Sequence, residues 1–331
     1  MGKVQRVLIT GVTGFAGSHL ADYINKLGGI EVFGTVRPRS STENIESPVT
    51  LLQCDLTDPQ SVAKAMAQSL PDIVFHLAAQ SFVPMSFVAP SMTMQANLQG
   101  TLNILEAVRA SSPETVIHFA GTSEEYGHVL ETELPIAETQ QFRPMSQYAV
   151  SKIAGEYLCH QYATTYNMPI AISRAFNHTG PRRGSMFATS NFALQIALIE
   201  AGRQEPVICV GNLDTRRDFS DVRDVVRAYW QLANAGLSTE PYNICSEQDL
   251  TLTMSPVNSA TSARDRRPGP SCHPQPTSRT LGRSSPTTCG MIISQSCRPV
   301  LGPGRSLLWS TLISRRGNPF PPLFARGTYG P

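Results

Sequence analysis

Tyr148 and Lys152 stand four residues apart in the segment SQYAVSK, so a helix there would carry both on one face. An ammonium beside a phenol favours the phenolate, which makes such a tyrosine a competent donor and acceptor of protons. A second reactive stretch, AGTSEEYG over residues 120–127, follows the apolar run TVIHF. Two adjacent carboxylates at the mouth of a buried strand are costly unless they are solvated or employed. Glu124 and Glu125 therefore each need an explanation.

A third feature is GVTGFAGSHL, in which Gly11, Gly14 and Gly17 are spaced by three directly after the apolar run RVLIT. Between a strand and a helix, such glycines allow a tight turn and let backbone approach a pyrophosphate at a helix N-terminus. Candidate cofactor contacts are Gly11, Thr13, Gly14, Phe15 and Gly17 in this loop, and Leu77, Ala78 and Ala79 in the later HLAA segment. Where the second strand ends, in TVRPRSS, NAD enzymes carry an acid for the ribose hydroxyls; here Arg37 and Arg39 stand instead. A guanidinium pair with Ser40 suits a 2′-phosphate, so NADP is expected, with NAD as the alternative. Asp55 and Leu56 in CDLTD fall where an adenine edge would lie, although Asp55 could equally cap the next helix.

The elements that must position these groups are legible as alternation. RVLIT, EVFGTV, VTLLQCD, DIVFHLAA, TVIHFAG and PIAISRAFN read as strands; GSHLADYINKLG, SVAKAMAQSL, NLQGTLNILEAVRAS and SQYAVSKIAGEYLCHQYATTY read as helices between them. Apolar strands separated by helices imply right-handed crossovers and a parallel sheet covered on both faces. The fold class is α/β, a Rossmann-type doubly wound sheet whose ligands sit at the carboxyl ends of the strands. FATSNFALQIALIEAG then predicts a helix and PVICVGN a strand. SDVRDVVRAYWQLANAG predicts a helix capped by Ser220, and PYNICS a last strand.

Composition divides the chain. Residues 1–250 hold 17 Lys+Arg and 24 Asp+Glu; residues 251–331 hold 10 Arg, no Lys and one acid, Asp265. The balance of the first 250 residues does not suggest a nucleic-acid partner, and no apolar run of membrane-spanning length appears, so a cytoplasmic protein is expected. The Pro/Ser/Arg-rich segment after Leu250 loses all periodicity, as disordered extensions do. Its lack of Glu and Lys, together with Cys272, Cys289, Cys297 and Trp309, instead suggests a shifted reading frame. The four earlier cysteines (Cys54, Cys159, Cys209, Cys245) read as small buried hydrophobes, and neither they nor the seven histidines show metal-ligand spacing.

With these residues in place, the sequence resembles the extended short-chain dehydrogenase/reductase superfamily, whose catalytic set is a Ser/Thr, a Tyr and a Lys. Thr122 or Ser123, with Tyr148 and Lys152, falls on those positions. The segments HLAAQSFVPMSF, GTSEEYG, RPMSQYAVSK, FNHTGPRR and VGNLDTRRDFSDVRDVVRAYW narrow the likeness to the branch acting on GDP-linked 6-deoxyhexoses, over residues 4–249. That branch includes 4,6-dehydratases and 4-keto reductases. Phe15-Ala16 and Arg217-Asp218-Phe219-Ser220 look more like the reductase pattern. The resemblance implies reduction of GDP-4-dehydro-6-deoxy-D-mannose to GDP-D-rhamnose, with the dehydratase as alternative. Glu124 would be an obligatory proton carrier in the dehydratase and a polar wall contact in the reductase, and Glu125 a solvated or structural residue. It also implies substrate contacts at Ser86, Asn177 and Arg217, no metal, and a homodimer through the helix of Tyr148.

The expected organisation is a cofactor domain over 1–175, a partial substrate lobe over 176–250 and an atypical tail over 251–331. Because the RPxEV-like continuation of the family is missing from that tail, a cofactor-binding but catalytically impaired chain is a further alternative.

Overall fold

In a computed structural model, which describes residues 4–235 and 239–252, seven parallel strands form one sheet in the order β3-β2-β1-β4-β5-β6-β9. These are β1 Gln5–Thr10, β2 Ile30–Val36, β3 Thr50–Gln53, β4 Ile73–His76, β5 Val116–Thr122, β6 Ile170–Ala175 and β9 Pro241–Ile244. The order reverses between β1 and β4, the switch point at which doubly wound sheets bind ligands beyond their carboxyl ends.

Successive strand residues face opposite layers, and both layers are filled. Val7 and Ile9 of β1 face helices α1 (Phe15–Leu27) and α8 (Val222–Asn234), joining Leu20, Ile24, Val225 and Tyr229 in one core. Leu8 faces the other way, into a core with Val62 and Met66 of α2 (Pro59–Ser69), Ile104 and Leu105 of α5 (Gly100–Ser111), and Cys159 of α6 (Gln147–Tyr166). Burial on both faces is why the strands read as continuous apolar runs rather than alternating ones.

Two short helices, α3 (Val83–Val88) and α4 (Pro90–Met94), lead into a π-helical stretch, Gln95–Gln99, ahead of α5. β6 is followed by β7 (Asn177–Thr179), and α7 (Ala188–Glu200) precedes β8 (Arg216–Asp221). A second sheet, β10-β8-β7, pairs β7 and β8 in parallel and β8 with β10 (Asp249–Thr251) antiparallel. Thus residues 177–251 serve both sheets: α8 and β9 return to the main sheet, while β7, β8 and β10 build the small one.

Several expectations change. PVICVGN forms no strand; it is an exposed loop in which Cys209 is exposed too, whereas Cys54, Cys159 and Cys245 are buried free thiols. The cap of α8 is Asp221, whose side chain accepts from the Arg223 N–H, and Ser220 belongs to β8. The RRDF segment, to which the sequence assigned no element, is a strand because β7 and β10 flank it. The tail reading falls almost wholly on residues outside those described, though β10 carries regular structure to Thr251. No helix among the described residues is long and apolar enough to cross a membrane.

The glycine turn depends on space. Gly11 adopts φ +69°, and a Cβ on Gly17 would stand 2.4 Å from the Gly11 carbonyl oxygen and 2.9 Å from Val12 Cα. Backbone cannot move aside cheaply, so Gly17→Ala is expected to destabilise the chain by about 1–3 kcal/mol, the cost of overpacking. Urea unfolding of both chains checks this; an unchanged midpoint would show that the turn yields.

Candidate active site

Helix α6 begins at Ser146, whose hydroxyl accepts the Ala149 N–H at 3.1 Å. That cap fixes the first turn and places both Tyr148 and Lys152 on the buried side of the helix, against the end of β5. The Thr122 side chain lies beside the Tyr148 phenol and lowers its pKa, and it caps the short turn Ser123–Glu125 by accepting the Glu124 N–H at 3.3 Å. Of the two candidates for the hydroxyl position, the structure therefore brings Thr122 to the phenol; Ser123 is buried alongside.

Electrostatics here run against one expectation. The Tyr148 phenol is pushed up rather than drawn down, first by burial and then by the Glu125 and Glu124 carboxyls, against the Thr122 side chain and Arg183. Lys152 is itself held down to about 8 by burial, and its Nζ lies 4.6 Å from the centre of the Phe119 ring. Desolvation of both groups outweighs the i,i+4 proximity that the sequence displays. A phenol in this state keeps its proton at neutral pH.

The two adjacent acids have separated. Glu124 is half-buried, its carboxyl raised by burial and opposed by the Arg217 guanidinium. Glu125 is fully buried: its Oε1 accepts the Thr122 N–H at 2.8 Å and its Oε2 lies 3.6 Å from Arg174 Nε. It is structural, not solvated.

Around the glycine loop, Gly11 comes so close to Ala78 that a Cβ would stand 2.9 Å from Ala78 Cα, and the Thr10 hydroxyl accepts the Ala78 N–H at 3.1 Å. Leu77, Ala78 and Ala79 thus border the glycine turn, with Gly14 exposed at the head of α1 and Phe15 beginning it. The Thr13 carbonyl accepts from Asn44 at 3.0 Å. Arg37 and Arg39 are exposed beyond β2, Arg39 at φ +65°. Asp55 accepts from the Thr57 N–H and hydroxyl at 2.9 and 2.8 Å; Asp58, not Asp55, caps α2. Leu56 packs where a Cβ on Gly100 would touch it, and its carbonyl accepts from Asn103. This turn, which a Cβ would fill, and the exposed, guanidinium-bearing strand end fit a dinucleotide.

The three expected substrate residues are placed differently. Asn177 lies half-buried in β7, paired with Phe219. Arg217, in β8, faces Glu124, while its neighbours Asp218 and Asp221 are engaged by the Ser246 N–H and by Arg223. Ser86 is not presented to a cleft: it is fully buried, and its hydroxyl donates to the Val83 carbonyl at 2.7 Å within α3.

Two residues at this site were not singled out by the sequence. Arg183 is largely buried between the rings of Phe15 (4.8 Å) and Phe187 (3.9 Å), and no carboxylate pairs with it among the described residues. Its charge acts on Tyr148 and burial lowers it to about 10, so an anion beside Phe15 would be strongly favoured. The doubled arginine in FNHTGPRRG was the available signal. Asn97, in the π-helical stretch, accepts the Gln80 N–H at 2.7 Å and donates to the Ser151 hydroxyl at 2.9 Å, tying the β4 loop to α6. Only the irregular helix reveals it.

A parallel sheet with a glycine turn at its switch point and a Thr–Tyr–Lys set at the end of β5 defines a short-chain dehydrogenase/reductase. A family model described as GDP-mannose 4,6 dehydratase matches residues 8–262, and the chain belongs to that family. It is 37% identical over 249 residues to GDP-6-deoxy-D-mannose reductase of Pseudomonas aeruginosa, covering 74% of this chain and 76% of that protein. It is 37% identical over 242 residues to GDP-mannose 4,6-dehydratase of Vibrio cholerae, covering 69% of this chain but only 64% of the dehydratase. The structure of RMD from Pseudomonas aeruginosa complexed with NADPH superimposes with a TM-score of 0.65 and 35% identity, covering 76% of this chain and 79% of that one.

The buried imidazoles give a pH prediction. Burial lowers His76 and His118 to about 3 and His178 to about 4, from an ordinary 6.5. Groups whose folded pKa is depressed contribute stability that is present above 6.5 and lost as pH falls toward those values. Between pH 6.5 and 4 the unfolding free energy should fall by up to about 1.4 kcal/mol per pH unit for each imidazole. His118→Gln should flatten that slope by about one proton in denaturant titrations across the range.

Proposed function

We propose that this chain is an NADP(H)-dependent oxidoreductase that reduces the C4 ketone of GDP-4-dehydro-6-deoxy-D-mannose to GDP-D-rhamnose. The observation that carries the reading is the Tyr148 phenol, buried beside Thr122 at the end of β5 and held in its acid form by that burial. Reduction of a ketone needs a proton donor at the oxygen, and a phenol that keeps its proton at neutral pH is poised for that direction.

NADPH, when bound, supplies the hydride. The glycine turn of Gly11, Gly14 and Gly17 would receive its pyrophosphate, and Arg37 and Arg39 its 2′-phosphate. The Thr122 hydroxyl orients the ketone oxygen, and Tyr148 gives its proton as charge develops there. Arg183 then faces the phenolate that remains, which its positive charge stabilises, and Lys152, one turn further along the same helix, would add its own charge. Arg217 and Asn177 would meet the nucleotide-sugar from the small sheet.

A second reading, the dehydratase, is favoured by Glu124. A carboxyl raised by burial can hold a proton near neutrality and pass it during elimination across C5–C6. The same family reading carries a homodimer through α6, where Val150 and Tyr157 are exposed. Analytical ultracentrifugation giving a mass near 36.0 kDa, that of one chain, would remove it.

Incubation with the 4-keto sugar nucleotide and NADPH, and separately with GDP-mannose alone, tests the function. The reductase predicts loss of NADPH absorbance only in the first; consumption of GDP-mannose without reductant selects the dehydratase. Binding of NADPH without turnover in either assay selects the impaired chain. Tyr148→Phe should lower kcat about 10²–10⁴-fold with NADPH affinity retained. Glu124→Gln should abolish dehydration while only weakening reduction.

A further inference from the structure

Beneath the Thr122–Tyr148 contact lies a cluster that the proposed reaction leaves unexplained. Arg174 of β6 donates to Glu156 of α6 through Nε at 3.0 Å and Nη2 at 2.5 Å, a bidentate pair. Its Nη1 donates to the Tyr126 hydroxyl at 2.9 Å and to the Glu138 carbonyl at 2.8 Å. Four of its five N–H groups are thereby used, none of them on a second carboxyl, Glu125, which is fully buried at 3.6 Å from Nε, itself already donating to Glu156. Glu125 Oε1 accepts the Thr122 N–H, whereas Oε2 is buried and meets no hydrogen-bond donor among the described residues. What Glu125 faces within hydrogen-bonding reach is the Glu156 carboxyl.

Two carboxylates in contact with one committed guanidinium cannot both stay ionised in a dry interior. A proton between them satisfies the orphaned oxygen and removes the like-charge repulsion. We propose that Glu125 is a positioning residue of this active site that works as a neutral acid: its Oε2–H donates a hydrogen bond to Glu156, and its Oε1 accepts the Thr122 N–H. The inference rests on the functional reading above for what Thr122 does, but the protonation itself does not.

The surroundings are consistent. From its own turn Glu125 meets Thr122 and Tyr126, while Glu124 turns away toward Arg217; from α6 it faces Glu156, Lys152 and Tyr148, with His160 3.5 Å beyond on Glu156; from β6 it faces Arg174. Burial and Glu156 raise the Glu125 carboxyl well above its ordinary range, while Arg174 hydrogen bonds hold Glu156 below it. The packing leaves no slack: a Cβ on Gly121 would stand 2.8 Å from Glu125 Oε1 and 2.7 Å from the Ser173 carbonyl oxygen. A neutral Glu125 leaves Lys152 without a neighbouring negative charge from this side. An ionised Glu125 would pair with Lys152 and repel a phenolate on Tyr148.

Glutamine at position 125 reproduces the neutral acid, with an amide oxygen for Thr122 and an N–H for Glu156; alanine reproduces neither. The full-length chain, Glu125→Gln and Glu125→Ala are compared by infrared spectroscopy at constant pH, as native-minus-variant difference spectra at pH 6 and at pH 8, by NADPH binding and by kcat–pH profiles. The expected results are a protonated-carboxyl band in the native chain that Glu125→Gln removes, NADPH binding retained in both variants, and kcat within about threefold for glutamine but reduced at least about tenfold for alanine. Absence of the band at pH 6–8, its persistence in Glu125→Gln, or a glutamine variant as impaired as alanine would overturn the proposal. The infrared result stands whether or not the chain turns over either sugar nucleotide, so failure of the functional reading is seen separately.

Discussion

Arg174 is the interaction on which the arrangement of the site depends. Its side chain is nearly inaccessible, and a guanidinium taken out of water is tolerable only when its donors are used. They bind α6 through Glu156, the residues after β5 through the Tyr126 hydroxyl, and the following loop through the Glu138 carbonyl. The rings of Tyr126 and Phe142 close over its face at 5.1 and 4.6 Å. Tyr126 passes the link on to Asn243 of β9, which in turn donates to the Ile136 carbonyl. One buried cation thus fixes the helix that carries Tyr148 and Lys152 relative to the strand end that carries Thr122. Removing it would leave two carboxyls facing each other without a counter-charge, a change of several kcal/mol in such settings.

Above that anchor, the chemistry follows from topology. Parallel strands deliver their carboxyl ends to one edge: Thr10 and His76, paired in register, end where the glycine turn begins, and β5 runs three residues past their level to Thr122. His76 is wedged between the Thr10 and Thr101 hydroxyls at 2.9 and 3.1 Å, with its charged form suppressed. It therefore behaves as a neutral spacer that orients the Thr10 hydroxyl toward the Ala78 N–H, not as an acid or base. The π-helical stretch does comparable work on the other side, because an extra residue per turn points Asn97 at both the β4 loop and Ser151.

What the sequence displayed was whatever has a period or a fixed spacing. Continuous apolar runs announced β1, β4, β5 and β6, and the spacing of glycines at 11, 14 and 17 located the turn. Tyr148 and Lys152 announced their helix face. The segments that failed owe their conformation to partners distant in sequence. RRDF is a strand only because residues 177–179 and 249–251 pair with it, and PVICVGN, strand-like by itself, has no such partner among the described residues. Charge state was least legible. An i,i+4 Tyr–Lys pair on an open helix would share its charge as expected, but here burial of both groups dominates, and burial is a property of the whole fold.

The doubled acid of GTSEEYG shows how one short motif can serve two layers. A turn of 3₁₀ helix rotates successive side chains by about a third of a circle, so neighbours cannot share an environment. Glu124 emerges toward Arg217 and the reacting edge, while Glu125 is turned into the protein toward Arg174. The turn itself is closed from both ends: the Thr122 hydroxyl accepts the Glu124 N–H, and the Glu125 carboxyl accepts the Thr122 N–H. Because the inward acid holds the backbone of the residue whose hydroxyl meets Tyr148, displacement in the buried cluster moves the reactive oxygen. The outward acid can then vary in role between reduction and dehydration without disturbing the geometry that both reactions use.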